Sequence, residues 1–127
     1  MKKIIILTNN PRVYLEYHKN YKVNFVEKSY MDVLILARDF VHKGYELLTH
    51  PLSGSVKPNE TPYKTVIISD VSKGIKVDSL MIIENSILTT KNFIKIKPTP
   101  QWPDNILDDF KEIDYRLVQA GMESMKR

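Results

Sequence analysis

The chain contains no cysteine, which excludes disulfides, thiolate metal sites, a cysteine nucleophile and a dithiol redox centre together. Long hydrophobic runs are also missing. The longest, Ile4 to Leu7 and Val33 to Ala37, fall far short of the roughly 20 apolar residues that a membrane-spanning helix needs. The first of them is too short for a signal-peptide core and has no small-residue cleavage site after it. A soluble, cytoplasmic protein with no membrane contact is expected. The sequence has no G-x-x-x-x-G-K-[ST], no G-x-G-x-x-G, no G-x-S-x-G and no H-E-x-x-H. None of its three histidines lies within a few residues of another, so no metal site and no cofactor is expected.

What is present is ordinary globular composition, with 43% hydrophobic and 27% charged residues in 127. That length matches one domain with its own core, residues 1–127. The net charge is +4, and the basic excess lies outside the C-terminal segment: residues 1–64 carry ten basic and six acidic groups, residues 104–127 four and six. No Lys/Arg cluster is interleaved with aromatic residues, so nucleic-acid binding is not expected and the lysines serve to solvate the surface.

Lys3 to Thr8 is a continuous apolar run ending in polar residues, the pattern of a strand buried on both faces. Asn9-Asn10-Pro11 joins a good cap to a proline suited to the first helical turn, which predicts a helix to about His18. Lys22 to Val26 reads as a short strand. Ser29 with Asp32 three residues on forms a capping-box variant, and Tyr30, Val33, Leu34, Ala37, Phe40 and Val41 follow at helical spacing up to the Gly44 stop. Tyr45 to Thr49 and Val66 to Ser69 read as a third and a fourth strand, and Asp78-Ser79 as the cap of a third helix. Lys95 to Pro103 holds three prolines and cannot continue that helix. Ile106, Phe110, Ile113, Leu117 and Ala120 keep a helical stripe to the end, for docking on the sheet or on a second copy. The expected fold is a single α/β domain: a mostly parallel sheet of about four strands, helices on both faces and a C-terminal helix.

Between the third and fourth expected strands lies a stretch from His50 to Lys64 with three prolines, a glycine and no apolar period. Loops of this length inside compact domains are either functional or disordered, and rigid prolines argue against disorder. It begins at a strand end, as does Thr8-Asn9-Asn10, where open parallel sheets bind ligands. Asn9 and Asn10 could present amides to an anion, or Asn10 could only cap its helix. Ser53, Gly54, Ser55 and Lys57 could wrap a phosphate or carboxylate, or form an ordinary turn. Asn59 and Thr61 add hydrogen-bonding groups, while Tyr63 and Lys64 adjoin a strand as pocket walls or surface. His50 is the histidine placed to act as an acid/base or orienting group, against the alternative of a bond to its own loop. No catalytic set emerges around it.

The run from Thr49 to Lys64, with Thr8-Asn9-Asn10-Pro11 near the start and Leu107-Asp108-Asp109-Phe110 near the end, resembles the GrdX family. The resemblance implies a cytoplasmic accessory protein encoded with glycine, sarcosine and betaine reductase systems of amino-acid-fermenting anaerobes, and brings no catalytic residues with it. A chain without cysteine or selenocysteine is not itself a redox subunit of such a system. Three readings remain. The first is a ligand-binding accessory or regulatory protein holding a small anion at residues 49–64, with Lys57 or Lys64 supplying charge. The second is a small-molecule enzyme with His50 as acid/base and Lys57 stabilising negative charge. The third is an interaction module contacting reductase subunits, with the prolines and the C-terminal helix as its surface; a homodimer through the C-terminal helix is a separate expectation. Convergence of His50 and Lys57 on one cavity favours the first two; an outward loop favours the third.

Overall fold

The computed structural model describes residues 3–54 and 56–126. In chain order it contains β1 (Ile4–Thr8), α1 (Pro11–Tyr17), β2 (Lys22–Phe25), α2 (Tyr30–His42), β3 (Thr65–Ser69), α3 (Val77–Ile96) and α4 (Asp104–Met125). The local signals act as their chemistry requires. Asn10 caps α1 by accepting the Arg12 N–H at 3.0 Å, with proline in the first turn. At α2, Ser29 Oγ accepts from Asp32 N–H at 3.2 Å while Asp32 Oδ2 accepts from Ser29 N–H at 3.1 Å, a closed capping box.

The sheet is mixed and has three strands in the order β2-β1-β3, rather than about four mostly parallel ones. β1 pairs parallel with β2 and antiparallel with β3, with Ile4 opposite Ser69 and Thr8 opposite Thr65. The expected strand Tyr45–Thr49 does not form. It runs along the outer edge of β3 and touches it through a single antiparallel bridge, Leu47 with Ile68. One backbone group that a longer ladder would pair goes to a side chain instead: Ile67 N–H donates to Thr49 Oγ1 at 3.0 Å. Leu47 N–H, on the side away from β3, donates to Ser79 Oγ at 3.0 Å. Ser79 is thereby taken from its expected role as a cap. α3 starts at Val77, and its N-cap residue Lys76 makes no side-chain cap bond.

The alternation of side chains along β1 and β3 builds two cores. Ile5, Leu7, Val66 and Ile68 pack with Tyr30, Val33, Leu34, Ala37 and Val41 of α2 and Ile83 and Ile87 of α3. Ile4, Ile6 and Ile67 face the other way, onto Val13 of α1 and Tyr115, Val118 and Met122 of α4. Both sheet faces are therefore covered by helices. The buried stripe of α4 is Asp114, Tyr115, Val118 and Met122, rotated from the stripe read in the sequence: Ile113 and Leu117 remain 41% and 37% exposed. α4 thus packs this buried stripe on its own sheet. Among the described residues no helix is long and apolar enough to cross a membrane.

Candidate functional site

β1 and β3 are antiparallel, so the last residue of β1 and the first of β3 lie side by side. This brings Thr8, Asn9 and Asn10 against Lys64 and Thr65. Asn9 is fully engaged: its Nδ2 donates to Lys28 O at 2.9 Å and Pro62 O at 2.8 Å, and its Oδ1 accepts the Lys64 N–H at 2.8 Å. Asn10, besides capping α1, donates from Nδ2 to Lys111 O and to Asp114 Oδ2, both at 3.0 Å. Neither asparagine amide has spare donors for a ligand. They hold the β1 end, the β3 start, α1 and α4 together.

The centre of this arrangement is a buried charge pair. Asp114 is 5% exposed and Lys64 4%. Asp114 Oδ2 accepts from Asn10 Nδ2 and from Thr65 Oγ1, the latter at 2.7 Å, and Thr65 Oγ1 is also 2.7 Å from Thr8 Oγ1. Burial pushes the Asp114 carboxyl up, against the opposing pull of those hydrogen bonds and of the Lys64 charge. The Lys64 ammonium is pushed down, again by burial, with Asp114 opposing. Among the described residues the ammonium makes no direct hydrogen bond and no contact ion pair; its positive charge is met by Asp114 through space and by the Tyr30 ring face 5.8 Å away. A lysine has three N–H donors; the fully buried side-chain atoms without a partner among the described residues are Asn59 Oδ1 and Asp70 Oδ1, and the Lys64 nitrogen is not one of them.

Two small cavities adjoin the pair, each of about 20 Å³. One is walled by Tyr30, Ser53, Thr61, Tyr63, Lys64 and Asp114 among others, the second by Thr49, Ser53, Lys64, Thr65 and Asp114. Each is of the size that holds one water-sized group with polar partners. Gly54 packs closely against Leu117 of α4. Its φ is +101°, and a Cβ there would lie 2.7 Å from Leu117 Cδ1, so glycine serves both the left-handed turn and the close approach.

The other expected site residues go elsewhere. His50 is exposed, and its Nδ1 accepts the N–H of Leu52 at 3.1 Å, a bond within its own loop. Lys57 and Asn59 line a separate cleft of about 230 Å³ with Glu60, Lys97, Pro100 and Trp102. Asn59 Nδ2 there donates to Phe93 O at 3.3 Å and Lys97 O at 3.0 Å, closing the end of α3. Trp102 Nε1–H donates to Glu60 O at 2.7 Å, which ties the loop to the start of α4. Thr61 turns back on Tyr63, accepting its N–H at 3.2 Å. Ser55 lies outside the described residues. His50 and Lys57 thus do not share either Lys64 cavity, whereas Ser53, Thr61, Tyr63 and Lys64 do converge. A wide groove of about 760 Å³ between α1 and α4 is lined by charges that already match one another, Arg12 with Glu112 at 3.1 Å and Lys111 with Asp108 at 3.6 Å. No group of three His, Asp or Glu able to hold a metal occurs among the described residues.

Sequence reasoning missed Asp114, Thr8, Thr65 and Tyr30. Asp114 had a signal: it stands four residues from Phe110 and four from Val118, a lone carboxylate on an apolar helical stripe.

Fold and site together define a small mixed α/β domain that closes a strand-end loop over a buried lysine–carboxylate pair. A model of the GrdX-like protein family matches residues 5–123 of the chain. The protein belongs to that family. No curated protein and no solved structure matches it.

Proposed function

We propose that this protein is a cytoplasmic ligand-binding accessory or regulatory protein of glycine, sarcosine and betaine reductase metabolism, and that it holds the anionic end of a small ligand against Lys64 beneath residues 49–64. The link to reductase metabolism rests on the family's name. The anion site rests on one observation: a lysine 4% exposed whose ammonium has no direct acceptor among the described residues and borders cavities lined by hydroxyls. A carboxylate or phosphate oxygen would complete the ammonium's hydrogen bonding. Ser53, Thr61 and Tyr63 border the same space, while Asn9 and Asn10 act by holding the strand ends in place.

A second reading has its own support. His50 and Lys57 face away from the Lys64 cavities, which favours the outer part of the loop as a contact surface for reductase subunits over a catalytic role for His50.

The test is a thermal-shift series with acetate, glycine, betaine and inorganic phosphate on the native protein and on Lys64→Met. One of these anions raises the native melting temperature and fails to raise that of Lys64→Met, while His50→Ala responds like the native protein. If no anion shifts the native protein, the anion reading is wrong and a reductase subunit becomes the partner to seek.

A further inference from the structure

The outer face of α3 carries an apolar line that nothing in the protomer covers. Val77 is 64% exposed, Met81 58% and Leu88 58%. At about 100° per residue, these three fall within a narrow strip, and Lys95 continues it toward the C-terminus. Its two flanks differ in chemistry. One carries Glu84 and Lys91, the other Asn85 and Asn92, all exposed. Single exposed apolar residues need no explanation, but a line of them along one helix marks an interaction surface.

The distribution of charge selects the occupant. We propose that α3 pairs antiparallel with α3 of a second copy, about a twofold axis passing near Leu88. In such a pair each flank meets the same flank of its mate. With a rise of about 1.5 Å per residue, Glu84 lies about 6 Å to one side of Leu88 and Lys91 about 4.5 Å to the other. The twofold therefore sets Glu84 beside Lys91 of the second copy, and Lys91 beside its Glu84. The opposite flank sets Asn85 beside Asn92 in the same way, with amides able to exchange hydrogen bonds. Leu88 meets Leu88 on the axis, and Met81 meets the aliphatic stem of Lys95. A parallel pair would set the Glu84 and Lys91 flank beside the Asn85 and Asn92 flank of its mate, leaving both charges without an opposite charge across the seam.

Sedimentation equilibrium of the full chain tests this. The native protein forms a dimer, and Leu88→Glu is a folded monomer by circular dichroism. Glu84→Lys and Lys91→Glu each weaken association by about tenfold or more, and the double exchange restores it. Glu84 also accepts from His42 Nε2 at 3.0 Å within its own protomer; His42→Ala removes that contact and leaves association unchanged. A monomeric native protein, a dimer that persists in Leu88→Glu, or charge exchanges that do not compensate would each overturn the proposal.

Discussion

At the scale of single residues, the protein turns on Lys64 and Asp114. Removing one partner of a buried pair strands the other, at a cost of about 3–5 kcal/mol, whereas replacing both by apolar groups of similar volume is far milder. Asp114→Ala removes the carboxylate that Asn10 Nδ2 and Thr65 Oγ1 donate to, and the negative charge that faces Lys64. It is expected to lose about 3–5 kcal/mol by urea unfolding, and the pair Lys64→Met with Asp114→Leu to lose less than Asp114→Ala alone. Equal or greater loss in the double variant would show that the two groups do not act on each other. The pH dependence has a defined sign. Burial lowers the Lys64 pKa in the folded state, so between that value and the ordinary 10.5 the unfolded chain binds the extra proton. Stability therefore rises with pH across that window. Tyr30, pushed up by burial, acts in the opposite sense above its ordinary 10.0. The stability difference between native protein and Lys64→Met should grow in favour of the native protein as pH climbs through the lowered folded value of Lys64 to just below 10.0; a difference that stays flat up to 10.0 would mean that Lys64 is not desolvated.

At the scale of elements, the start of α2 and two glycine turns carry the clearest expectations. Ser29→Ala opens the capping box and costs about 0.5–2 kcal/mol. Asp32 is held below the ordinary carboxylate range by its bonds to Ser29. Its contribution is present above 3.8 and is lost as pH falls through the lowered folded value. Gly44 has φ +98°, and a Cβ there would lie 2.8 Å from Gly74 N. Backbone cannot yield as a side chain can, so Gly44→Ala should cost more than Gly54→Ala, whose Cβ meets only the tip of Leu117. Thermal denaturation of the two variants compares them directly. These elements were legible in the sequence because their causes are local: a cap, a helical period, a glycine stop. The direction of β3 was not. It depends on how residues 43–64 return to the end of β1, and no residue within Thr65–Ser69 states that. The strand expected at Tyr45–Thr49 failed for a related reason, since the Thr49 side chain took the Ile67 N–H that a longer ladder would have paired.

At the scale of the whole molecule, two apolar cores share one three-stranded sheet, and each apolar residue of β1 serves one or the other. Such a sheet couples its two faces, so residues 1–127 should unfold as one unit. Trp102 is the only tryptophan and sits between the loop and α4. Its fluorescence and the helical circular dichroism should therefore report coincident urea transitions; separated transitions would mean that α4 and the loop unfold apart from the α2 and α3 face. The candidate site was half legible on the same grounds. The loop 49–64 drew attention by its length and prolines, and Lys64 was among its residues. The carboxylate opposite comes from a helix 50 residues further along the chain, 64 to 114. Its importance is visible only once β3 lies antiparallel to β1 and α4 is folded against the sheet.

The anion site proposed here requires that the buried Lys64 ammonium accept a small anion. It is tested most directly by following backbone and lysine side-chain NMR signals while acetate or phosphate is added to the native protein. Saturable shifts at Lys64, Thr65, Ser53, Thr61 and Asp114, with a moved Lys64 ammonium signal, are the predicted result. Shifts confined to Lys57, Lys97 and Trp102, or none that saturate, would contradict it.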